Sequence, residues 1–201
     1  MLPGLVGSKQ VTSGLTLALT VGHDAAMTAQ DVLGFWFGAN PKAWFEKNPA
    51  FDDEVRARFL PLYERAASGG LKAWLENAES CLALVILLDQ FPRNMFRGSA
   101  RAFAADALAR EAARTLVERG WDRSMSPERR TFAYLPFEHS EALEDQELSV
   151  RLFEGNPNAE WARKHWEIIR RFGRFPHRNV ALGRASTPEE VAFLKEPGSS
   201  F

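Results

Sequence analysis

The chain has 201 residues, 45% of them hydrophobic and 25% charged, and its formal net charge at pH 7 is −1. This size and composition are typical of one soluble globular domain, and the balanced charge excludes a global basic field for nucleic acid or membrane surfaces. The single cysteine, Cys81, excludes an internal disulfide, which is consistent with the cytoplasmic location that we expect.

Residues 1–26 differ from the rest of the chain, because they are small or weakly apolar and follow no helical pattern. The apolar stretch Leu15–Val21 is too short to cross a bilayer. A signal peptide is an alternative interpretation, but Thr16 and Thr20 dilute its apolar centre. We therefore interpret 1–26 as a flexible or loosely docked N-terminal extension and 27–201 as a helical domain.

The first helices are predicted from their end signals. Thr28 with Asp31 is typical of a capped helix start, and Gly38 can end that helix. Asp52 is the predicted N-cap of the next helix. Pro61 lies within that helix's apolar pattern, so we expect it to kink or split the helix.

The segment Glu79–Phe91 contains the stretch CLALVILL, which is apolar on all sides, as is typical of a buried element. A buried strand is the alternative, but the flanking segments are helical and we find no second strand to pair with it. We therefore predict a central helix. Asp89 and Gln90 would lie at its C-terminal end, where a carboxylate needs a partner against the helix dipole.

Two further helices follow. Ser99 is expected to cap a long helix that ends near Arg119. Ser126, followed by a proline, is a strong helix start. Pro136 disfavours helical backbone at the preceding residue, so we expect this helix to end near Tyr134.

The last part of the chain contains the clearest amphipathic pattern. Ser140 is expected to cap a helix that runs to about Phe153. Four apolar residues and one histidine then recur at helical spacing and form one face: Trp161, His165, Ile168, Ile169 and Phe172. Gly173 can end that helix, and Thr187 begins a capping box. The sequence therefore predicts one all-α domain of eight or nine helices.

Several segments resemble the bacterial family named domain of unknown function 924. They are LLDQFPRN with FRGSARAFAADALAR, FAYLPFEHSE with DQE, and RFGRFPHRN with LGRASTPEE. The resemblance covers about residues 28–201. It implies an all-helical fold similar to the tetratricopeptide-repeat superfamily, and it implies no known reaction.

Opposite charges are concentrated in two segments near the C-terminus. Five acids and no Lys or Arg lie between Thr131 and Val150: Glu138, Glu141, Glu144, Asp145 and Glu147. Five arginines and no acid lie between Arg170 and Pro188: Arg170, Arg171, Arg174, Arg178 and Arg184. The structural interpretation is that the two segments pair and fix the packing. We therefore expect at least one of three acids to pair with one of three arginines: Glu138, Glu141 or Asp145 with Arg174, Arg178 or Arg184.

The functional interpretation is that some of these groups bind a ligand. The candidate binding residues are Arg93, Asn94, Arg174, His177, Arg178 and Asn179. Arginine binds carboxylates and phosphates in a two-pronged geometry. The sequence therefore predicts a binding module whose partner is a small anion or a peptide with an acidic or carboxylate end. We expect no nucleic acid, no membrane and no cofactor as partners.

The alternative to a binding module is an enzyme that acts on a small molecule. His139, with Glu138 and Glu141, could act as an acid or base. Metal ligation by these groups is less favoured, because no HxxxH or HExxH spacing is present. The sequence also contains no GxSxG, P-loop or GxGxxG motif.

Overall fold

The computed structural model describes Met1 and residues 27–200, so the interpretation of 1–26 concerns residues that are almost all outside the description. The part of the chain that it describes contains helices and no strands, which confirms the predicted all-α class. The α-helices are α1 (Ala29–Gly38), α2 (Lys42–Phe45), α3 (Pro49–Ala67), α4 (Ala78–Val85), α5 (Phe91–Met95), α6 (Asp106–Glu118), α7 (Pro127–Glu138), α8 (Leu143–Leu152), α9 (Ala159–Phe172) and α10 (Pro188–Phe193). Short 3-10 segments lie at Lys72–Glu76, Ala100–Phe103, Trp121–Ser124 and Pro176–Arg178. The tetratricopeptide-like arrangement stays a prediction.

Some of the predicted helix starts are confirmed and others are displaced. The capping boxes at Thr28 and Thr187 are both present. The N-cap of α3 is Asn48, whose side chain accepts from the amide of Phe51, so the prediction of Asp52 was wrong. Asp52 is instead buried one turn into the helix. A proline at the first helical position favours the earlier start.

Two later starts also differ from the prediction. Ser99 caps only the 3-10 segment, and α6 begins at Asp106. Ser140 does not cap α8, whose N-cap is Ala142. The Ser140 hydroxyl instead donates to Asp145 at 2.8 Å, because both groups are buried and need a partner.

Prolines inside helices interrupt the chain less than the sequence predicted. α3 continues past Pro61, so the helix is not split there, and the kink that was the other expectation stays a prediction. α7 continues past Pro136 to Glu138, so the expected end near Tyr134 was also wrong. An internal proline costs a helix about 3 kcal/mol. Here the turn around Pro136 buries Leu135 and Phe137, and each large apolar side chain contributes about 1.5–3 kcal/mol on burial.

The predicted central helix is confirmed, but its end was misplaced. α4, a π-helical turn over Ile86–Gln90 and α5 follow one another without a break. Asp89 and Gln90 therefore lie inside this run, whereas the sequence predicted them at the C-terminal end of the central helix. The amide of Phe91 donates to the carbonyl of Ile86, as expected for a π-turn. π-turns are frequent at functional sites.

An aromatic core surrounds this central run. Within the core, α4 contacts α1, α6 and α7. Trp36, Phe59, Phe91 and Phe132 are among the core's largest fully buried side chains. A second, smaller apolar cluster joins α9 to the segment that follows it. Within the described residues, no helix is long and apolar enough to cross a membrane.

Candidate functional site

A group of fully and partly buried ionisable side chains lies where the π-turn, α5, the start of α6, the end of α7 and the 3-10 turn after α9 meet. We call it the central polar cluster; its members are Asp89, Arg93, Asp106, Glu138, His139 and Arg178. The continuation of α7 past Pro136 is what brings Glu138 and His139 into it.

Asp89 is the most deeply buried member, with an exposed fraction of 0%. Its carboxylate oxygens lie 2.9 and 3.0 Å from Nδ1 of His139, and Nη1 of Arg93 lies 3.1 Å away. Burial favours the neutral acid, but the charge of Arg93 and the contact with His139 outweigh it and keep the pKa of Asp89 well below its ordinary value. Asp89 is therefore an ionised acceptor at neutral pH.

Arg93 connects Asp89 to the start of α6. Its two terminal nitrogens donate to the two oxygens of Asp106 at 3.0 and 3.1 Å, and Nη1 also donates to the Asp89 carbonyl. This two-pronged geometry is the strong form of an arginine–carboxylate contact. Arg93 is thus held on both sides by protein acceptors.

Arg178 is more deeply buried than Arg93 but has fewer hydrogen-bond partners among the described residues. Its one hydrogen bond within the described residues runs from Nη1 to Asp106 at 3.5 Å, and Nε is buried without an acceptor. The rings of Phe103 and Phe175 lie 4.7 and 4.5 Å from the guanidinium carbon, which gives cation–π contacts. Burial, followed by the positive charge of Arg93, lowers the pKa of Arg178 to about 10.

His139 has one ring nitrogen held and the other open. Its side chain keeps 16% of its surface exposed, and Nε2 makes no hydrogen bond with any described residue. Burial lowers the pKa of His139, the charge of Arg93 lowers it further, and Asp89 opposes both. The imidazole is therefore neutral at pH 7, with its Nδ1 proton directed at Asp89.

Glu138 is a buried acid beside this pair. Burial raises its pKa to about 8, and the charge of Asp89 adds to the shift, so Glu138 is mainly protonated at pH 7. Its Oε1 lies 3.3 Å from Nδ1 of His165, while Oε2 is buried without a partner among the residues described. Nδ1 of His165 also lies 2.9 Å from the carbonyl of Trp161, and burial lowers the pKa of His165 to about 3.

His177 borders the cluster through Phe175, whose ring centroid lies 5.5 Å from its own. Burial, followed by the charge of Arg178, lowers the pKa of His177 to about 4. The predicted residues Arg93, His177, Arg178, His139 and Glu138 therefore lie together.

The other candidate binding residues have structural partners. Asn94 donates to Asp52 at 2.8 Å, and the same carboxylate also accepts from Arg97. Arg174 and Asn179 both bind Glu190, which lies in the first turn of α10. These three side chains are outside the central polar cluster.

The expected contact between the two charged segments is confirmed at one pair. Glu141 accepts from Arg184 at 2.7 and 2.9 Å, and from the amide of Phe175 at 2.8 Å. Glu141 therefore fixes the turn that carries Arg178 and is a support of the cluster. Asp145, in contrast, pairs with Arg110 and Arg114 of α6.

Sequence reasoning missed two members of the cluster. Asp89 had a signal, because a carboxylate in an apolar helix needs a partner. Asp106 had none, since an acid in the first turn of a helix is ordinary. Among the described residues, no group of three or more His, Cys, Asp or Glu side chains could hold a metal ion.

The fold and the cluster define a class: an all-helical protein with a buried aspartate–histidine pair and an incompletely bonded arginine beside it. The sequence matches the family of bacterial proteins of unknown function DUF924 over residues 32–198, and the chain belongs to that family.

A solved structure of a protein of unknown function from Agrobacterium tumefaciens is similar to this chain. It shares 46% sequence identity and superimposes with a TM-score of 0.80. The match covers 83% of this chain and 96% of that one. No curated protein matches the sequence.

Proposed function

We propose that the protein binds a small carboxylate- or phosphate-bearing anion at Arg178. The observation that carries this proposal is the hydrogen bonding of that guanidinium. A buried arginine with five N–H donors makes one hydrogen bond at the outer distance limit, within the described residues. A buried donor without an acceptor costs about 1–3 kcal/mol, and more when it is charged.

Other arginines of the domain give the contrast. Arg93, Arg97 and Arg174 each donate two hydrogen bonds to one carboxylate. Among the described residues, Arg178 makes one long hydrogen bond, to Asp106, which Arg93 already binds at shorter distance. An anion at Arg178 would supply the missing acceptors and would offset the burial of its charge.

Limited access favours a small ligand over a peptide. The Arg178 side chain keeps 7% of its surface exposed, and the aromatic rings of Phe103 and Phe175 cover it. A peptide with an acidic end would have to open these contacts, whereas a small anion needs only the edge of the guanidinium. The peptide is therefore the second candidate partner.

Isothermal titration calorimetry with phosphate, sulfate, acetate and succinate tests the proposal. We expect at least one of them to bind, and Arg178→Lys to weaken that binding at least tenfold, which corresponds to about 1.4 kcal/mol. Lysine keeps the charge but loses the planar two-pronged geometry.

Arg174→Lys is the matched control, because Arg174 belongs to the same segment but is bound by Glu190. We expect this variant to bind the anion with unchanged affinity. Thermal unfolding of both variants shows whether each is folded. Equal affinity in the wild type and in folded Arg178→Lys, or no binding of any of the four anions, would overturn the proposal.

A further inference from the structure

We propose that Asp89 and His139 form a general-base pair that hydrolyses an ester of the small anion held at Arg178. This inference rests on the proposed function and adds a reaction to it. It assigns His139 as the catalytic base, Asp89 as the residue that positions it, and Arg178 as the substrate anchor.

The first step is the tautomer of His139. Asp89 must accept hydrogen bonds, because Arg93 holds it ionised. Nδ1 of His139, at 2.9 and 3.0 Å from the carboxylate oxygens, must therefore carry a proton. The lone pair of the neutral ring is then on Nε2, which is the nitrogen that can accept a proton from a substrate or water.

The second step is that this lone pair is available and rigidly placed. His139 is the C-cap of α7, and it lies between the buried residues Glu138 and Ser140. A sixth of the side chain is exposed, and Nε2 has no acceptor or donor from the described part of the chain. His139 therefore combines a fixed ring with an open basic nitrogen, as general-base catalysis requires.

His165 provides an internal comparison. Its ring centroid lies 6.3 Å from that of His139, but His165 is buried and its Nδ1 faces the carbonyl of Trp161 and the carboxyl of Glu138. A carbonyl is not a charged acceptor, and Glu138 is mainly protonated at pH 7. The features of a positioned base are therefore found at His139 and not at His165.

The third step is that the base and the anchor share one site. Arg178 and Arg93 both contact Asp106. Arg93 also contacts Asp89, which holds His139, so one continuous set of contacts links the anchor to the base. The positive charge of Arg178 also contributes to the low pKa of His139. An anion at Arg178 would therefore place the rest of a small molecule beside Nε2.

The reaction needs only water as its second reactant. The Ser140 hydroxyl donates to Asp145, so water is the nucleophile that the site can offer. Nε2 takes a proton from water as the water oxygen bonds to the ester carbonyl carbon. The carbon–oxygen bond to the leaving group then breaks, and the alcohol oxygen takes the proton back from the imidazolium. The products are the carboxylic acid and the alcohol, and nothing is oxidised or reduced.

The test compares hydrolysis of the p-nitrophenyl half-ester of succinate, which carries a carboxylate, with that of p-nitrophenyl acetate, which does not. We expect the wild type to hydrolyse the half-ester preferentially. His139→Asn keeps an N–H donor for Asp89 but removes the base, so it should lower the rate about 100-fold or more. His165→Asn is the matched control and should hydrolyse the half-ester at the wild-type rate.

Calorimetry with succinate on the same samples separates this inference from the proposed function. Wild-type protein that binds succinate but does not hydrolyse the half-ester would overturn the catalytic inference and leave anion binding intact. Equal rates for wild type and folded His139→Asn would also overturn it. Absence of hydrolysis together with absence of binding by all four anions would overturn both.

Discussion

Arg174 and Arg178 lie four residues apart in the turn after α9, yet their surroundings are opposite. Arg174 donates two hydrogen bonds to Glu190 and one to the carbonyl of Ala185. Arg178 is more deeply buried and makes one long hydrogen bond with the residues that the structure describes, to Asp106. The arginine that is nearer to solvent is thus the better satisfied of the two.

This difference separates a structural charge cluster from a candidate ligand site. The Glu190 carboxylate accepts four hydrogen bonds: two from Arg174, one from Asn179 and one from the amide of Thr187. Its hydrogen bonding is therefore satisfied without a ligand. Counting only the described part of the chain, the central polar cluster has unused hydrogen-bonding capacity at Arg178, His139 and Glu138. Buried groups without partners are uncommon in folded proteins, so each one requires a physical reason.

Asp89→Ala should have the largest effect on stability, because Asp89 is the ion around which the central polar cluster is organised. Removing one partner of a buried pair costs about 3–5 kcal/mol. We expect a loss of this size in the free energy of unfolding, measured by urea denaturation.

Arg171→Ala is the surface control for Asp89→Ala. Arg171 pairs with Glu189 at 3.0 Å, and the two side chains are 48% and 63% exposed. An exposed pair contributes about 0–1 kcal/mol. Similar losses in the two variants would show that Asp89 does not organise the cluster.

Glu141→Gln should have an intermediate effect, since Glu141 binds both Arg184 and the amide of Phe175. Hydrogen bonds to a charged group contribute about 1.5–3 kcal/mol, and we expect a loss near the lower end because Glu141 is partly exposed. Burial opposes the shift, but the Arg184 contact keeps the folded-state pKa of Glu141 below 4.5. Its stabilisation is therefore present above the unfolded pKa and is lost as the pH falls through the folded one.

The measurement for Glu141→Gln is urea denaturation at pH 7 and again in acid. The gap between wild type and variant should shrink as the pH falls. A gap that stays constant with pH would mean that the carboxylate charge at Glu141 does not stabilise the turn.

The helix class could be predicted from local signals, because caps and apolar spacing act within a few residues. Thr28, Thr187 and the pattern from Trp161 to Phe172 each lie on the helix that they predict. Helix ends at prolines could not be predicted in this way. The continuation past Pro136 depends on burial of Phe137 by distant parts of the chain, and tertiary packing then outweighs the local preference.

Like the helices, the candidate site was predictable only in part, because tertiary packing decides which charged side chains meet. Two opposite charge runs indicate contact, and Glu141 with Arg184 confirms it. The partner of each charge depends on the fold: Asn94 is 42 residues from Asp52, and Arg178 is 72 residues from Asp106. Sequence could therefore name Arg178 and Arg174 together, but only hydrogen-bond partners distinguish them.

Glu138→Gln and Glu190→Gln should change stability in opposite directions, which is the sharpest form of the comparison. Burial raises the folded-state pKa of Glu138 from 4.5 to about 8. The unfolded chain therefore releases this proton first, and wild-type stability falls as the pH rises from about 4.5 to 8. Glutamine cannot ionise, so Glu138→Gln should gain about 1 kcal/mol or more at pH 8, given about 1.4 kcal/mol per pKa unit, and little at pH 4.

Glu190 has the opposite sign. Its hydrogen bond with Arg174 lowers the folded-state pKa to about 2, so its stabilisation is present above 4.5 and is lost as the pH falls towards about 2. Glu190→Gln should therefore destabilise the protein at pH 8, and that loss should shrink in acid. Thermal unfolding of both variants at pH 4 and pH 8 gives the four values needed. If both variants are less stable than the wild type at pH 8, the Glu138 carboxyl has its hydrogen-bond partners in solution. The contrast between the central polar cluster and the group around Glu190 is then smaller than their hydrogen bonds indicate.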